Sequence, residues 1–149
     1  MDSPSYSNFY ILAGLYNFSI LMFSKLFTNN LFEKYDSAHF NLHGVISVVL
    51  WGLAYISVYK HHHKLFLTNF VFAIEKFYYA YIWATWMRSN HMNITAMINE
   101  DLLTGSFFAI YGVGDFLFGL FFSYMACSAC SSCGSCNGKE NSTPHKRLD

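Results

Sequence analysis

Residues Leu65–Met87 read LFLTNFVFAIEKFYYAYIWATWM. A bilayer core about 30 Å thick takes about 20 mostly apolar residues in helical form, and this stretch is long enough. Glu75 and Lys76 stand at its centre. A charge there costs about 2.5 to 3.5 kcal/mol if it faces lipid. The stretch therefore reads as a membrane helix whose polar residues turn inward, toward other helices.

Three further segments have the same character: roughly Phe9 to Phe27, Phe40 to Tyr59 and Leu103 to Ala126. None contains proline; Pro4 and Pro144 lie in the tails. Backbone polar groups in lipid must be satisfied within the segment, so helices are expected. No alternating ten-residue segments point to a barrel. The expected fold is all-α: a four-helix transmembrane bundle with antiparallel neighbours and both termini on the same side. Residues 1–126 form the transmembrane domain, and 127–149, rich in Ser, Gly, Asn and charge, read as a flexible Cys-rich cytoplasmic tail.

The composition agrees. The chain has 149 residues, 54% hydrophobic and 20% aromatic, with 12% charged. Soluble domains carry about 25% charged residues. Net charge is zero, which removes the electrostatic basis for nucleic-acid binding. The lipid bilayer is the implied partner, with other membrane proteins or a second copy as candidates. The first segment does not read as a removable signal: Asp2 stands in its flank and no small-residue cleavage site follows.

Connections are short: Thr28 to His39, Lys60 to Lys64 and Arg88 to Asp101. Lys60, Lys64, Lys139, Lys146 and Arg147 share one side, against Lys25, Lys34 and Arg88 on the other. The excess places both termini in the cytoplasm. Trp83, Trp86, Tyr10, Tyr55 and Tyr59 lie near span ends and suit interfacial aromatic belts.

Four polar side chains fall at one depth. The span centres lie at residue 18, near 49 to 50, at 76 and between 114 and 115. Asn17, Glu75, Lys76 and Asp115 each sit within about 1.5 Å of a centre along the axis. Three charges facing lipid would cost about 8 to 10 kcal/mol. Lys76 is expected to pair with Asp115, with Asn17 hydrogen-bonded to one of them. Glu75 lies about 100° round the helix from Lys76 and is left to a tyrosine hydroxyl. Interior stripes are Ala13, Asn17 and Ser24 in the first span; Ser47, Trp51 and Ala54 in the second; Ala73, Lys76, Ala80 and Trp83 in the third. In the fourth, Gly105, Ala109, Gly112, Gly119, Ser123 and Ala126 form a seam of small residues that lets helices approach closely. The polar layer reads either as glue that sets the register or as a substrate, ion or proton site. Asn17, Glu75, Lys76 and Asp115 are the ligand or ion candidates.

Cys127, Cys130, Cys133 and Cys136 form C-x2-C-x2-C-x2-C after the last span. S-palmitoylation, with Cys127 and Cys130 as candidates, a zinc or iron–sulfur site, and unmodified thiols are the alternatives. Asn93-Ile94-Thr95 is a glycosylation sequon on the expected exterior side. The loop Lys60-His61-His62-His63-Lys64 reads as a headgroup anchor or, second, a metal site. His39 and His43 read as interfacial histidines, or as a metal pair. No phosphate loop, dinucleotide fingerprint, nucleophile elbow or zinc-protease motif is present. No catalytic residue is assigned and the cofactor is left open; a non-enzyme is favoured, with an enzyme that acts on a lipid ranked last.

Taken together, Tyr16-Asn17, Trp51-Gly52-Leu53-Ala54-Tyr55, Glu75-Lys76 and Gly114-Asp115-x-x-x-Gly119 resemble a loose group of small uncharacterised four-helix membrane proteins. The resemblance covers Phe9 to Phe122. It implies the topology and no activity. The functional expectation is a small multi-pass protein handling a small molecule or ion, or an accessory subunit of a transporter. The alternative is a structural or adaptor protein with an acylated tail.

Overall fold

A computed structural model describes residues 4–134 of the chain. The protein is all-α there: α1 Pro4–Phe23, α2 Asn30–Tyr35, α3 Leu42–Ser57, α4 Phe66–Asn90, α5 Ile94–Glu100 and α6 Leu102–Gly134. Single 3₁₀ turns, His62–Lys64 and His91–Asn93, precede α4 and α5. The four longer helices fall on the four segments read from the sequence, but α1 ends at Phe23, short of Phe27, and α3 is shorter at both ends than Phe40 to Tyr59.

Short polar side chains set the helix starts. Asn29 caps α2 by accepting from Leu31 N, and Asn41 caps α3 by accepting from Gly44 N. Asp101 precedes α6 and accepts from Thr104 N at 3.1 Å, which satisfies one of the first turn's orphan donors. The end of α1 is unusual. Lys25, Leu26 and Phe27 have φ of 50°, 55° and 71°, a left-handed run that costs about 1 to 2 kcal/mol per residue. It reverses the chain toward α2 within one turn.

The long helices form two close antiparallel pairs, α1 with α3 and α4 with α6. Glycines make each pair close. A Cβ on Gly14 would stand 2.8 Å from Gly52 O, and one on Gly52 would stand 3.1 Å from Gly14 O. The α1 and α3 backbones therefore meet where neither has a side chain. On α6, Gly105, Gly112 and Gly119 leave room for Ile98, Trp83 and Phe77, so the small-residue seam faces α4 and α5.

The two pairs face each other through side chains, with hydrogen bonds at three levels. Tyr10 of α1 donates to Asn69 Oδ1 of α4 at 2.7 Å. Lys76 of α4 donates to Asn17 Oδ1 of α1 at 2.7 Å. Tyr16 of α1 donates to the Tyr111 carbonyl of α6 at 2.5 Å. Aromatic clusters fill the remaining space. Tyr10, Tyr55, Phe72 and Phe122 pack toward the end holding the start of α1. Phe32, Phe40, Phe107 and Phe108 pack toward the other end.

The structure revises several expectations. The first and third connections are not plain loops: α2 and α5 lie across that end of the bundle and bury Phe32 and Met97. In α3 the interior face is Val45, Gly52 and Tyr55, while Ser47 is exposed. Ser47 satisfies its hydroxyl on its own helix, donating to the His43 carbonyl at 2.8 Å. Tyr10 and Tyr55 are fully buried inside the bundle, and each hydroxyl has a buried polar acceptor. Trp83 and Trp86 donate to the carbonyls of Phe108 and Tyr35, which ties neighbouring elements together. Finally, α6 continues through Cys127 and Cys130 to Gly134, past the boundary at Ala126. No proline interrupts it there, so the composition shift does not end the helix.

The outside of the bundle is apolar along its length. Leu12, Leu15, Leu50, Leu53, Leu67, Phe70, Ile74, Ile110, Leu117 and Leu120 are all exposed. Among the described residues, Leu102–Cys130 is the one helix long and apolar enough to cross a membrane by length and composition, and Leu42–Ser57 is a shorter apolar helix.

Candidate functional site

Lys76 is the hub of the interior. It is 1% exposed and its Nζ donates to Asp115 Oδ1 at 2.6 Å and to Asn17 Oδ1 at 2.7 Å. The Asn17 amide is oriented by its other end: Nδ2 donates to the Val48 carbonyl of α3 at 3.0 Å. One ammonium thus ties α1, α4 and α6 directly, and α3 through the amide. The ring faces of Tyr16 and Tyr55 lie 5.3 and 5.2 Å from Nζ, within cation–π range.

Glu75 takes a different partner. Tyr55 of α3 donates its hydroxyl to Glu75 Oε2. That same oxygen stands 4.0 Å from Lys76 Nζ. Adjacent positions on a helix diverge at the backbone, yet the lysine side chain is long enough to bring the two charges near each other. The sequence reading placed them apart. Glu75 Oε1 is buried with no hydrogen-bond partner.

Asn17, Glu75, Lys76 and Asp115, the four sequence candidates, therefore meet in one layer. Tyr55, Tyr16 and Tyr111 were not on that list. Tyr55 reads from the sequence as a residue near a span end; its position opposite Glu75 emerges only in the assembled helices. Tyr111 Oη is buried and has no partner; nothing in the local sequence marks it.

The layer borders a cavity of about 330 Å³. Asn17, Glu75, Lys76 and Asp115 line one end of it, and Ile20, Phe40, Tyr79, Phe107 and Tyr111 line the apolar remainder. Ile110 and Val113 of α6 also line it and are 61% and 50% exposed. The cavity thus opens sideways between α1 and α6. It can hold a compact molecule with an apolar body and a polar end.

A second polar cluster lies at the α2–α5 end, where Lys25, Asn29 and Asp101 meet Thr104 in the first turn of α6. Asn29 Nδ2 donates to Thr104 Oγ1 at 2.7 Å, and Asp101 accepts from the Thr104 hydroxyl at 2.6 Å and from Lys25 at 2.9 Å. The Thr104 hydrogen bond, then Lys25, hold the Asp101 carboxyl down at about 2. Glu100 is also held below the ordinary carboxylate range, by Lys34 and then Tyr35.

The other sequence candidates are dispersed. His39 Nδ1 stands 3.0 Å from Asp36 Oδ1, and His43 is exposed. Asn93 is exposed, in the turn before α5. Cys127 and Cys130 are exposed on α6. The Cys133 side chain, Cys136 and the basic residues Lys139, Lys146 and Arg147 lie outside the described residues. Among the described residues, no group of three or more His, Cys, Asp or Glu side chains is arranged to hold a metal ion.

No protein-family model, curated protein or solved structure matches the chain.

Proposed function

We propose that the protein is a four-span integral membrane protein that handles a small molecule or ion at the layer formed by Asn17, Glu75, Lys76 and Asp115. The observation that carries the reading is an inversion of polarity. Lys76, Asp115, Asn17 and Glu75 are buried, while leucine, isoleucine and phenylalanine cover the outside of the same helices. Such an arrangement is favourable where the surrounding solvent is hydrocarbon. α1 and α4 have 20 and 25 residues, or about 30 and 38 Å at about 1.5 Å per residue, which matches an about 30 Å core, while α3 has 16, or about 24 Å, and needs the bilayer to thin beside it. The end bearing Lys60 and Lys64 is then the cytoplasmic one.

Cysteine labelling in sealed vesicles tests the topology. His61→Cys and Thr95→Cys, each in a chain with its native cysteines changed to serine, are expected to label from opposite sides. Labelling of both from one side overturns the four-span arrangement. The handling role is tested on the purified full chain by thermal unfolding against a panel of cations and small amines, alcohols and acids. One class is expected to raise Tm by several degrees, and Asp115→Asn to remove the shift.

The direct contacts of Lys76 favour a second reading, in which the layer is glue and the chain a structural or adaptor protein. In that case exchanging the charges, Lys76→Asp with Asp115→Lys, restores folding and no panel member shifts Tm.

A further inference from the structure

We propose that the cavity between α1 and α6 binds a compact lipophilic amine, which enters sideways from the hydrocarbon and donates its ammonium to Glu75 Oε1; the proposal rests on the ligand-handling reading above.

Three observations converge on it. The first is charge. The layer holds two carboxyl groups, Glu75 and Asp115, and one ammonium, Lys76, all buried. Lys76 Nζ is 2.6 Å from Asp115 and 4.0 Å from Glu75, so Asp115 is the carboxylate it pairs with. Glu75 Oε2 has the Tyr55 hydroxyl and a distant share of the same ammonium, while Oε1 has neither. Two buried carboxyl groups on one ammonium leave a charge uncompensated, and a second cation is the direct remedy.

The second is the hydrogen-bond inventory of the wall. Several donors of the wall are already engaged: Tyr16 on the Tyr111 carbonyl, Ser19 on the Tyr16 carbonyl, Asn17 on the Val48 carbonyl and Lys76 on Asn17 and Asp115. Among the described residues, the buried side-chain atoms still without partners are Glu75 Oε1 and Tyr111 Oη, and both residues line the cavity. A carboxylate acceptor demands a donor, and a charged donor makes the stronger bond. A ligand carboxylate would meet Glu75 with like charge.

The third is shape. At about 330 Å³ the cavity sits at the lower end of the range for small-molecule sites, about 300 to 1,000 Å³. It admits a single ring with a short arm and excludes a two-chain phospholipid. Beyond the layer its walls are Ile20, Phe40, Tyr79 and Phe107, which suit an aryl or alicyclic body. The mouth opens at Ile110 and Val113, on the apolar outside of α6, so the route in lies through lipid.

The experiment uses the full chain in nanodiscs of neutral lipid, with three probes of one shape: 2-phenylethylamine, 2-phenylethanol and 3-phenylpropanoate. Affinity is read from the concentration dependence of Tm. The amine is expected to bind at least about tenfold more tightly than the alcohol or the acid, the margin of one charge-assisted hydrogen bond. Glu75→Gln, a neutral isostere, is expected to abolish that preference. Ile110→Trp, an exposed position at the mouth, is expected to weaken all binding without loss of folding. If the alcohol or acid matches the amine and Ile110→Trp weakens it, the amine assignment fails and the ligand site stands. An amine preference that survives Glu75→Gln also overturns the assignment. If no probe binds and none of the wider panel shifts Tm, both readings fail.

Discussion

Lys76 Nζ lies 2.6 Å from Asp115 Oδ1, across the antiparallel pair α4 and α6, with both side chains almost wholly withdrawn from the surface. The contact joins the helices whose backbones already run close along Gly112 and Gly119. Its energetic weight lies in what remains when one partner goes. Lys76→Ala leaves Asp115 buried and alone, and Asp115→Ala does the same to Lys76. Each is expected to cost about 3 to 5 kcal/mol. The apolar double variant Lys76→Met with Asp115→Leu is expected to be far less damaging than either single change. Chemical unfolding of the four proteins measures this, and additive losses in the double variant would contradict it.

Tyr10 and Asn69 make a second prediction. Both are 0% exposed, and Asn69 also donates Nδ2 to the His62 carbonyl at 2.9 Å. Tyr10→Phe leaves Asn69 Oδ1 buried without a donor. The expected loss is about 1 to 3 kcal/mol, seen as a lower Tm. Asn69→Ala costs more, since it also removes one of the two donors to the His62 carbonyl, leaving the Leu65 N–H at 3.2 Å.

The left-handed turn after α1 predicts a gain. Leu26 has φ of 55° and is 69% exposed, so its side chain contributes little to offset the backbone strain. Its N–H holds the Leu21 carbonyl at 2.8 Å, a bond that glycine keeps. Leu26→Gly is expected to raise stability by about 1 kcal/mol, because glycine adopts positive φ without penalty. A fall in Tm would show that the leucine side chain matters more than its exposure implies.

Asp101 gives the pH dependence. Its carboxyl is held at about 2, against an ordinary value of 3.8. A depressed folded value favours the ionised form in the native state. Its stabilisation is therefore fully present above about pH 4 and is lost as pH falls toward 2. Asp101→Asn is expected to flatten the decline of Tm over about pH 4.5 to 2.5. Equal slopes in the two proteins would remove Asp101 as the source.

Legibility differed from residue to residue. Asn17, Lys76 and Asp115 could be found because a polar group in an apolar run is conspicuous and its depth follows from counting. Their meeting followed from the cost of leaving them in lipid. The face of α3 could not be found this way. Ser47 looked inward by type, yet a serine satisfies itself on its own helix, whereas Gly52 and Tyr55 are placed by what stands opposite them. The short helices α2 and α5 were hidden because so few residues show no periodicity, and Phe32 and Met97 reveal their role only once a core exists to receive them.

The chain alone, through its hydropathy, its lack of internal proline and its spacing of small residues, determined the four long helices and the level at which their polar groups lie. These properties run along one strand of residues and can be read there. The tertiary structure decided which helices pair backbone to backbone, that Tyr55 and not a neighbour on α4 serves Glu75, and that a sideways cavity is left beside the layer. Those outcomes depend on side-chain reach across gaps between separate helices, a distance that no order of residues along the chain contains.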